Sequence, residues 1–167
     1  MTDYADIDKV LSELRHGHSC LLLNENSAGG MTGFVVVAAE HCEAEHIAFM
    51  ARQARGLVCL AMTPQRCEEL ELPLMVEGDD SLSPFTLSIE AATGIDTGIS
   101  AADRARTVRV AVDASSQASD LVQPGHIFPI AAEMPVSMPV AASIDSVNGE
   151  SESSPSTMSG SSSSSHR

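Results

Sequence analysis

The first third of the chain contains segments with apolar residues at helical spacing and short continuous apolar runs. Residues 6–16 carry apolar side chains at helical spacing and are followed by Gly17, which predicts a first helix ending there. Short apolar runs at residues 20–23 and 34–39 predict two buried strands. Residues 43–54 begin with acids and end near arginines, the charge order that a helix dipole favours, so a second helix is predicted.

The pattern continues with a strand, a short helix and another strand. Residues 57–62 are apolar and predict a buried strand, after which Thr63 and Pro64 supply an N-cap and a first-turn proline for a helix over residues 65–70. Residues 85–91 alternate between apolar and polar, which predicts a half-exposed strand. The side chains predicted to share its buried face are Phe85, Leu87, Ile89 and Ala91.

A fourth helix and a last strand are predicted before the composition changes. Ser100 and Asp103 stand in the spacing that satisfies the free amides at the start of a helix, here residues 100–112. Residues 121–130 form an apolar segment that is predicted to be broken at Pro124-Gly125 and stopped at Pro129. Adjacent strands together with strand–helix alternation predict an α+β fold, a mixed twisted sheet with packed helices.

The end of the chain differs from the rest. From Ala141 onward serine, glutamate, glycine and proline dominate, and the sequence ends in SSSSSHR. Such a segment buries too little apolar area to offset its conformational entropy, so we predict a domain over residues 1–140 and a disordered tail over residues 141–167.

Composition excludes several classes of function. The formal net charge of −14 and a pI near 4.6 leave little attraction for phosphate backbones, so nucleic-acid binding is not expected. No apolar stretch approaches the roughly 18 residues of a membrane span, and the N-terminus does not read as a signal peptide. A cytoplasmic protein with four reduced cysteines is therefore predicted, with no membrane contact.

Histidines and cysteines form two groups with the spacing of metal ligands. His16, His18 and Cys20 alternate, so an extended backbone would place them on one side, while Cys42 and His46 stand four apart at a helix start. A helix end followed by a buried strand explains the first group, and a polar helix start with a half-buried thiol explains the second. We therefore predict no metal site here.

Three positions are candidates for catalysis or anion binding. The turn at residues 97–100 places hydroxyls and free amides at a helix N-terminus, which favours an anion, although capping by Ser100 explains the same residues. His126 follows a tight turn that can hold a catalytic imidazole or a structural one. Cys59 lies within an apolar strand, where a thiol usually only fills the core.

The connection between the first two strands, NENSAGGMTG at residues 24–33, is long enough to be a functional loop. It carries one carboxylate, Glu25, and three glycines, and it lacks the Gly-Lys-Ser/Thr ending of a phosphate-binding loop. For its length, the loop therefore offers few side chains that could bind a ligand or catalyse a reaction.

Four stretches together resemble a known family. They read GLVCLAMT, ELPLMV, FTLSIEAATGIDTGISAADRARTVR and PGHIFPI, at residues 56–63, 71–76, 85–109 and 124–130. They are similar to 3,4-dihydroxy-2-butanone 4-phosphate synthase of riboflavin biosynthesis, and the register runs from about Asp6 to Ile130. The resemblance implies conversion of ribulose 5-phosphate to formate and the four-carbon ketone phosphate, with magnesium, at a site shared between two subunits.

The sequence departs from the family pattern at the magnesium site. The family's acidic loop, Asp-Arg-Glu-Asn-Glu-Gly-Asp, falls in ungapped register on residues 27–33, where Gly29 replaces the metal-binding carboxylate. After Ile130 the family's Arg-Gly-Gly-His-Thr-Glu segment has no counterpart, and the stretch at residues 77–84 is shorter. We therefore expect a fold lacking the family's C-terminal third, with no magnesium and no other cofactor.

Six residues match family site positions in spite of these departures. The matches imply catalytic remnants at Cys59, His126 and Asp103, and substrate-binding remnants at Thr97, Ser100 and Arg104. Helix capping and turn formation alone can account for most of them.

Three functions are weighed on this basis. The leading hypothesis is an inactive family member that acts as a homodimer, or as a heterodimer with an intact member, through residues 59–62, residues 85–91 or the helix beginning at Ser100. The second is an active synthase with a rearranged magnesium site built from substitute carboxylates. The third is an interaction protein unrelated to riboflavin that uses its acidic surface and serine tail. The substitute carboxylates of the second hypothesis are Glu25, Glu77, Asp79 and Asp80.

Overall fold

Helices and strands alternate along the protein in the order that the sequence predicts. The structure, a computed structural model, describes residues 5–25, 30–76, 84–132 and 139–144. Its strands are β1 (Cys20–Glu25), β2 (Met31–Ala38), β3 (Val58–Met62), β4 (Ile89–Ala91), β5 (Leu121–Ala131) and β6 (Pro139–Ile144). Its helices are α1 (Ile7–Arg15), α2 (Ala44–Phe49, continued by a π turn at Met50–Ala54), α3 (Pro64–Glu69) and α4 (Ala101–Val112).

The strands form one mixed sheet in the order β1-β2-β6-β3-β5-β4. β3 and β5 run parallel, with Cys59 opposite Phe128, and the other neighbouring pairs are antiparallel. This arrangement confirms the predicted α+β class and the mixed sheet. None of the helices in the described ranges is long and apolar enough to cross a bilayer.

The core lies between the sheet and the helices α2 and α4. Apolar side chains of the inner strands meet those of the helices in one buried cluster. Its fully buried members include Val37, Leu60, Met62, Ile127, Ile47, Met50 and Val108. Burying such a side chain contributes about 1.5–3 kcal/mol relative to leaving it exposed, so this cluster fixes which face of the sheet the helices cover.

The helix starts are capped by the residues that the sequence predicts. The Thr63 hydroxyl accepts a hydrogen bond from the Arg66 amide at 3.1 Å and so caps α3, whose first residue is Pro64. The Ser100 hydroxyl accepts from the Asp103 amide at 3.0 Å and caps α4. These hydroxyls satisfy amides that have no partner within the helix, so local sequence sets both starts.

The predicted strand at residues 85–91 is shorter than expected. Only Ile89–Ala91 pairs regularly with β5, and Thr86 is fully buried while Leu87 is exposed, so the predicted alternation is wrong before Ile89. The Thr86 amide donates to the Pro129 carbonyl at 3.1 Å, and the Thr86 side chain is fully buried. Pairing with a distant residue therefore overrides the local pattern.

The predicted break at Pro124-Gly125 is a bulge within a continuous strand, and β5 also runs past Pro129. Ile89 lies opposite Ile127, but the next residue, Glu90, lies opposite Val122. The intervening part of β5 loops outward without ending the strand. The bulge re-aims the side chains near it, including His126.

β6 is the element that the sequence analysis does not predict. It pairs antiparallel with both β2 and β3, so that Val140 lies opposite Val37 on one side and Leu60 on the other. The strand crosses the predicted boundary between residues 140 and 141 and extends the sheet to Ile144. The predicted disorder of residues 145–167 falls outside the described residues.

Candidate active site

The bulge in β5, the strand β4 and the loop before α4 meet at one point. His126 Nδ1 lies 3.2 Å from Glu90 Oε2, so the imidazole and the carboxylate form a hydrogen-bonded pair. Gly98 packs against this pair, since a Cβ added there would overlap the Glu90 carboxylate and lie 3.2 Å from His126 Nδ1. A glycine is required at this position both for that approach and for its φ of +75°.

Asp103 holds the glycine loop against the pair. Its carboxylate accepts hydrogen bonds from the amides of Gly98 at 3.1 Å and Asp96 at 3.3 Å. Burial opposes ionisation of this carboxyl, but hydrogen bonds from the Ser100 hydroxyl and the loop amides outweigh it and hold the pKa of Asp103 below its usual range. Asp103 therefore anchors the loop and keeps its negative charge at neutral pH.

Replacing the carboxylate of Asp103 should lower the melting temperature by an amount that depends on pH, and this dependence tests the anchoring role. In Asp103→Asn one amide N–H₂ group must face loop amides that are themselves donors, so the variant should melt several degrees lower at pH 7. A depressed pKa stabilises the fold at pH values above the ordinary Asp range, and that contribution is lost as the pH falls below about 4. Melting curves of both proteins from pH 3 to pH 7 should thus converge at the acidic end, and a constant difference would contradict this role.

The three predicted substrate-binding residues lie around the same loop. Thr97 and Ser100 are exposed on either side of Gly98, with the Ser100 hydroxyl occupied in capping α4. Arg104 is half-buried one residue after Asp103, and its Nε has no hydrogen-bond partner among the described residues. Burial lowers the pKa of this guanidinium. The structure brings these residues to one end of α4.

Cys59 differs from this cluster because its thiol is buried and protonated. It is buried on β3, and its Sγ lies 3.7 Å from the Leu57 carbonyl. Burial raises the pKa of the thiol to about 11, so the thiol is protonated at neutral pH. A protonated, buried thiol is a poor nucleophile.

Glu90 is the member of the cluster that the sequence analysis missed. It belongs to the quoted family stretch but was not singled out, because its partner His126 is far away in sequence. One signal was available: a single acid between Ile89 and Ala91, both of which are buried in β4. In a half-exposed strand such an acid points toward solvent, so this signal alone did not identify a partner.

The two histidine and cysteine groups make local hydrogen bonds. His16 Nδ1 lies 2.7 Å from the Ser12 carbonyl, and His18 Nδ1 lies 2.6 Å from a carboxylate oxygen of Glu13. His46 Nδ1 accepts from the Glu43 amide at 3.0 Å and completes the cap of α2. These contacts agree with the helix-end interpretation of both groups.

The donor set of the candidate site does not suit magnesium. Mg²⁺ requires several oxygen ligands in octahedral geometry, whereas Glu90 is engaged by His126 and the Asp103 oxygens accept from amides. Within the described ranges no three His, Cys, Asp or Glu side chains are grouped to hold a metal ion. The substitute Glu25 ends β1, and the other three substitutes and residues 26–29 lie outside the described residues.

Comparison with known proteins identifies the family of this chain. The family model described as 3,4-dihydroxy-2-butanone 4-phosphate synthase matches residues 8–137, which is most of the chain. The chain belongs to this family. Its predicted membership is thereby confirmed.

Curated relatives carry the same name but are longer. The 3,4-dihydroxy-2-butanone 4-phosphate synthase of Pseudomonas aeruginosa is 48% identical over 129 residues, which cover 76% of this chain and 35% of that protein. The synthase of Hamiltonella defensa is 42% identical over 128 residues, covering 75% of this chain and 58% of that protein. The chain thus spans between about a third and three fifths of these relatives.

Solved structures of the family share the fold. A two-domain synthase from A. baumannii superposes with a TM-score of 0.74 at 34% identity, covering 84% of this chain and 48% of that chain. A synthase in complex with two magnesium ions superposes with a TM-score of 0.76 at 26% identity, covering 89% and 81%. The synthase-like fold predicted from the sequence is therefore confirmed.

Proposed function

We propose that this chain is a catalytically inactive synthase-family protein of riboflavin biosynthesis. In this proposal it works in the cytoplasm by associating with a second copy or with an intact family member. The observation that carries the association is the edge strand β1. Three consecutive leucines on it, Leu21, Leu22 and Leu23, are 56%, 44% and 38% exposed.

An edge of this kind favours pairing. Natural edge strands are usually protected by charge, proline or a covering element, whereas residues 20–23 of β1 are uncharged and contain no proline. Leu21 also borders a cavity of about 300 Å³ that it shares with Phe49, another exposed apolar side chain. An apolar surface next to a strand edge that no other described strand pairs with supports a protein partner.

The sequence analysis gave three other surfaces for association, of which residues 85–91 and the helix beginning at Ser100 stay predictions. Residues 59–62 lie in β3, whose two edges are already paired with β6 and β5. β3 therefore offers no free edge to a partner, and β1 replaces it as the proposed contact.

The inactivity is supported by the site chemistry. The described carboxylates of the site do not suit magnesium, and the buried Cys59 thiol is protonated at neutral pH. In the family's register the acidic loop falls on residues of this chain that carry no acid. The groups that usually bind a hard cation, and those that usually accept a proton, would therefore both be missing.

One observation favours the second candidate, the family reaction itself. The Glu90–His126 pair is in place, and a carboxylate beside an imidazole stabilises the charge that the ring gains when it accepts a proton. The pair could therefore serve as a general base. Measurement of formate release separates the two candidates, as argued in the Discussion.

The association is tested with a matched pair of variants. Sedimentation velocity at micromolar concentration, with the chain alone and mixed with the Pseudomonas aeruginosa relative, should reveal a complex. Leu22→Lys should weaken it by about tenfold or more, because a charge would be buried at the edge.

Val122→Lys is the matched control for this experiment. Val122 is 43% exposed, close to the 44% of Leu22, and it lies on β5, outside β1 and outside the three segments considered for association in the sequence analysis. The control should leave the complex intact. A chain that sediments as a monomer and also ignores the intact synthase would refute the association.

A further inference from the structure

An apolar groove lies beside α3, away from the Glu90–His126 pair. Its volume is about 650 Å³, within the range of pockets that enclose a small organic molecule. Most of its surface is apolar and comes from Pro64, Leu72, Leu74, Pro84 and Ala131. We call this cavity the α3 groove, and none of its described lining residues belongs to the candidate active site.

Two carboxylates stand at the rim of the α3 groove. Glu68 and Glu71 are both exposed, and they are the charged residues among its described lining. The nearby base, Arg66, does not neutralise them, because its NH1 bonds to Glu69 at 3.0 Å. Its other nitrogens donate to the carbonyls of Ala111, Asp113 and Ser116.

All three nitrogens of the Arg66 guanidinium therefore bond to partners other than Glu68 and Glu71. The α3 groove combines apolar walls with a rim that keeps two negative charges. That combination is complementary to a ligand with an apolar body and one cationic group.

The backbone of Glu71 is left-handed. α3 ends with hydrogen bonds from the Glu71 amide to the Glu68 carbonyl at 2.9 Å and from the Leu72 amide to the Cys67 carbonyl at 2.9 Å. In this type of helix end the turn residue is left-handed and is usually glycine, yet Glu71 has a φ of +53°. A glycine at this position would relieve that strain, so the side chain of Glu71 costs some stability.

We propose that the α3 groove binds a small organic cation, a primary ammonium on an alkyl or aryl body. The body packs against Leu72, Leu74 and Pro84, and the ammonium donates hydrogen bonds to the carboxylates of Glu68 and Glu71. Binding is non-covalent. The site is separate from the one used in the proposed function, so either can fail without the other.

The probes are two molecules of the same shape. 4-Phenylbutylamine and its neutral counterpart 4-phenylbutanol are titrated into the ¹⁵N-labelled full chain and followed by NMR. The amine should shift the amides of residues 67–74 with a dissociation constant on the order of 1 mM, as expected for so small a ligand. The alcohol should bind roughly fivefold more weakly, because it forms no ion pair with the rim.

Three variants then separate charge from folding. Glu68→Gln and Glu71→Gly should each weaken binding of the amine toward that of the alcohol. Glu69→Gln changes the same helix on the side that pairs with Arg66, and it should leave binding unchanged. Glu71→Gly should also melt about 2–4 °C higher because glycine adopts the left-handed turn without strain, so its weaker binding cannot come from unfolding.

Several results would overturn the proposal. Equal binding of amine and alcohol would remove the role of the carboxylates, and shifts centred outside residues 67–74 would place the ligand elsewhere. Undiminished amine binding by Glu71→Gly would also contradict the proposal, as would the absence of any amide shift with millimolar amine.

Discussion

The purified chain, supplied with ribulose 5-phosphate and Mg²⁺, is expected to release formate no faster than the same mixture without protein. Ordinary enzymes turn over roughly 1 to 1000 times per second, and metal and acid–base contributions each account for orders of magnitude of that rate. The described site offers Mg²⁺ no suitable set of oxygens, since its carboxylates are occupied by His126 and by loop amides. The remaining imidazole–carboxylate pair cannot supply the missing stabilisation alone.

A positive control and one variant make this assay decisive. The intact Pseudomonas aeruginosa relative, assayed in parallel, establishes that substrate and metal are competent. A rate of about 1 per second from this chain would end the inactive interpretation. If that rate then fell in His126→Asn, the family reaction would be assigned to the Glu90–His126 pair.

Replacing Gly125 with alanine is expected to abolish stable folding. Gly125 lies in the bulge of β5, and a Cβ there would overlap the backbone of Ile89 and Glu90 on β4. Its amide also donates to the Ser88 hydroxyl at 3.1 Å, which keeps the two strands close. Because backbone cannot move aside as a side chain can, we expect a loss of ~3 kcal/mol or more, a large part of a typical domain's stability.

Gly94→Ala is the matched control. Unlike Gly125, Gly94 has a positive φ, of +74°, and the three atoms nearest to an added Cβ belong to the guanidinium of Arg106, the end of a flexible side chain whose Nε donates to the Thr93 carbonyl at 2.8 Å. This variant should lose only about 1 kcal/mol, from the backbone strain. Urea unfolding followed by circular dichroism measures both. Equal stability of Gly125→Ala and the parent chain would show that β4 and β5 can separate without penalty.

Helix positions were predicted well because their signals are local. Thr63 with Pro64 and Ser100 determine the starts of α3 and α4 within a few residues of sequence. The strands at residues 85–91 and 121–130 were predicted less well. Their geometry depends on pairing between them, and the register shift between Ile89 and Glu90 leaves no trace in either segment alone.

The candidate site was predicted in part for the same reason. Thr97, Ser100 and Asp103 are close in sequence and were expected together, and they do surround Gly98. His126 was correctly placed near a sharp backbone feature, but its partner Glu90 was not found, because the contact joins two distant strands. Cys59 matched a family position, yet its burial, which determines its reactivity, depends on neighbouring strands that the sequence does not display.

β6 also determines when the sheet can be completed. It joins two groups of strands, β1–β2 and β3–β5–β4, that have no other strand between them in the sheet. Val37 and Val140 pair across about a hundred residues of chain, a separation that makes a contact slow to form. During synthesis on the ribosome the inner edge of β2 must therefore stay unpaired until β6, which ends at Ile144, has emerged, and in that interval the nascent protein is most exposed to wrong pairing.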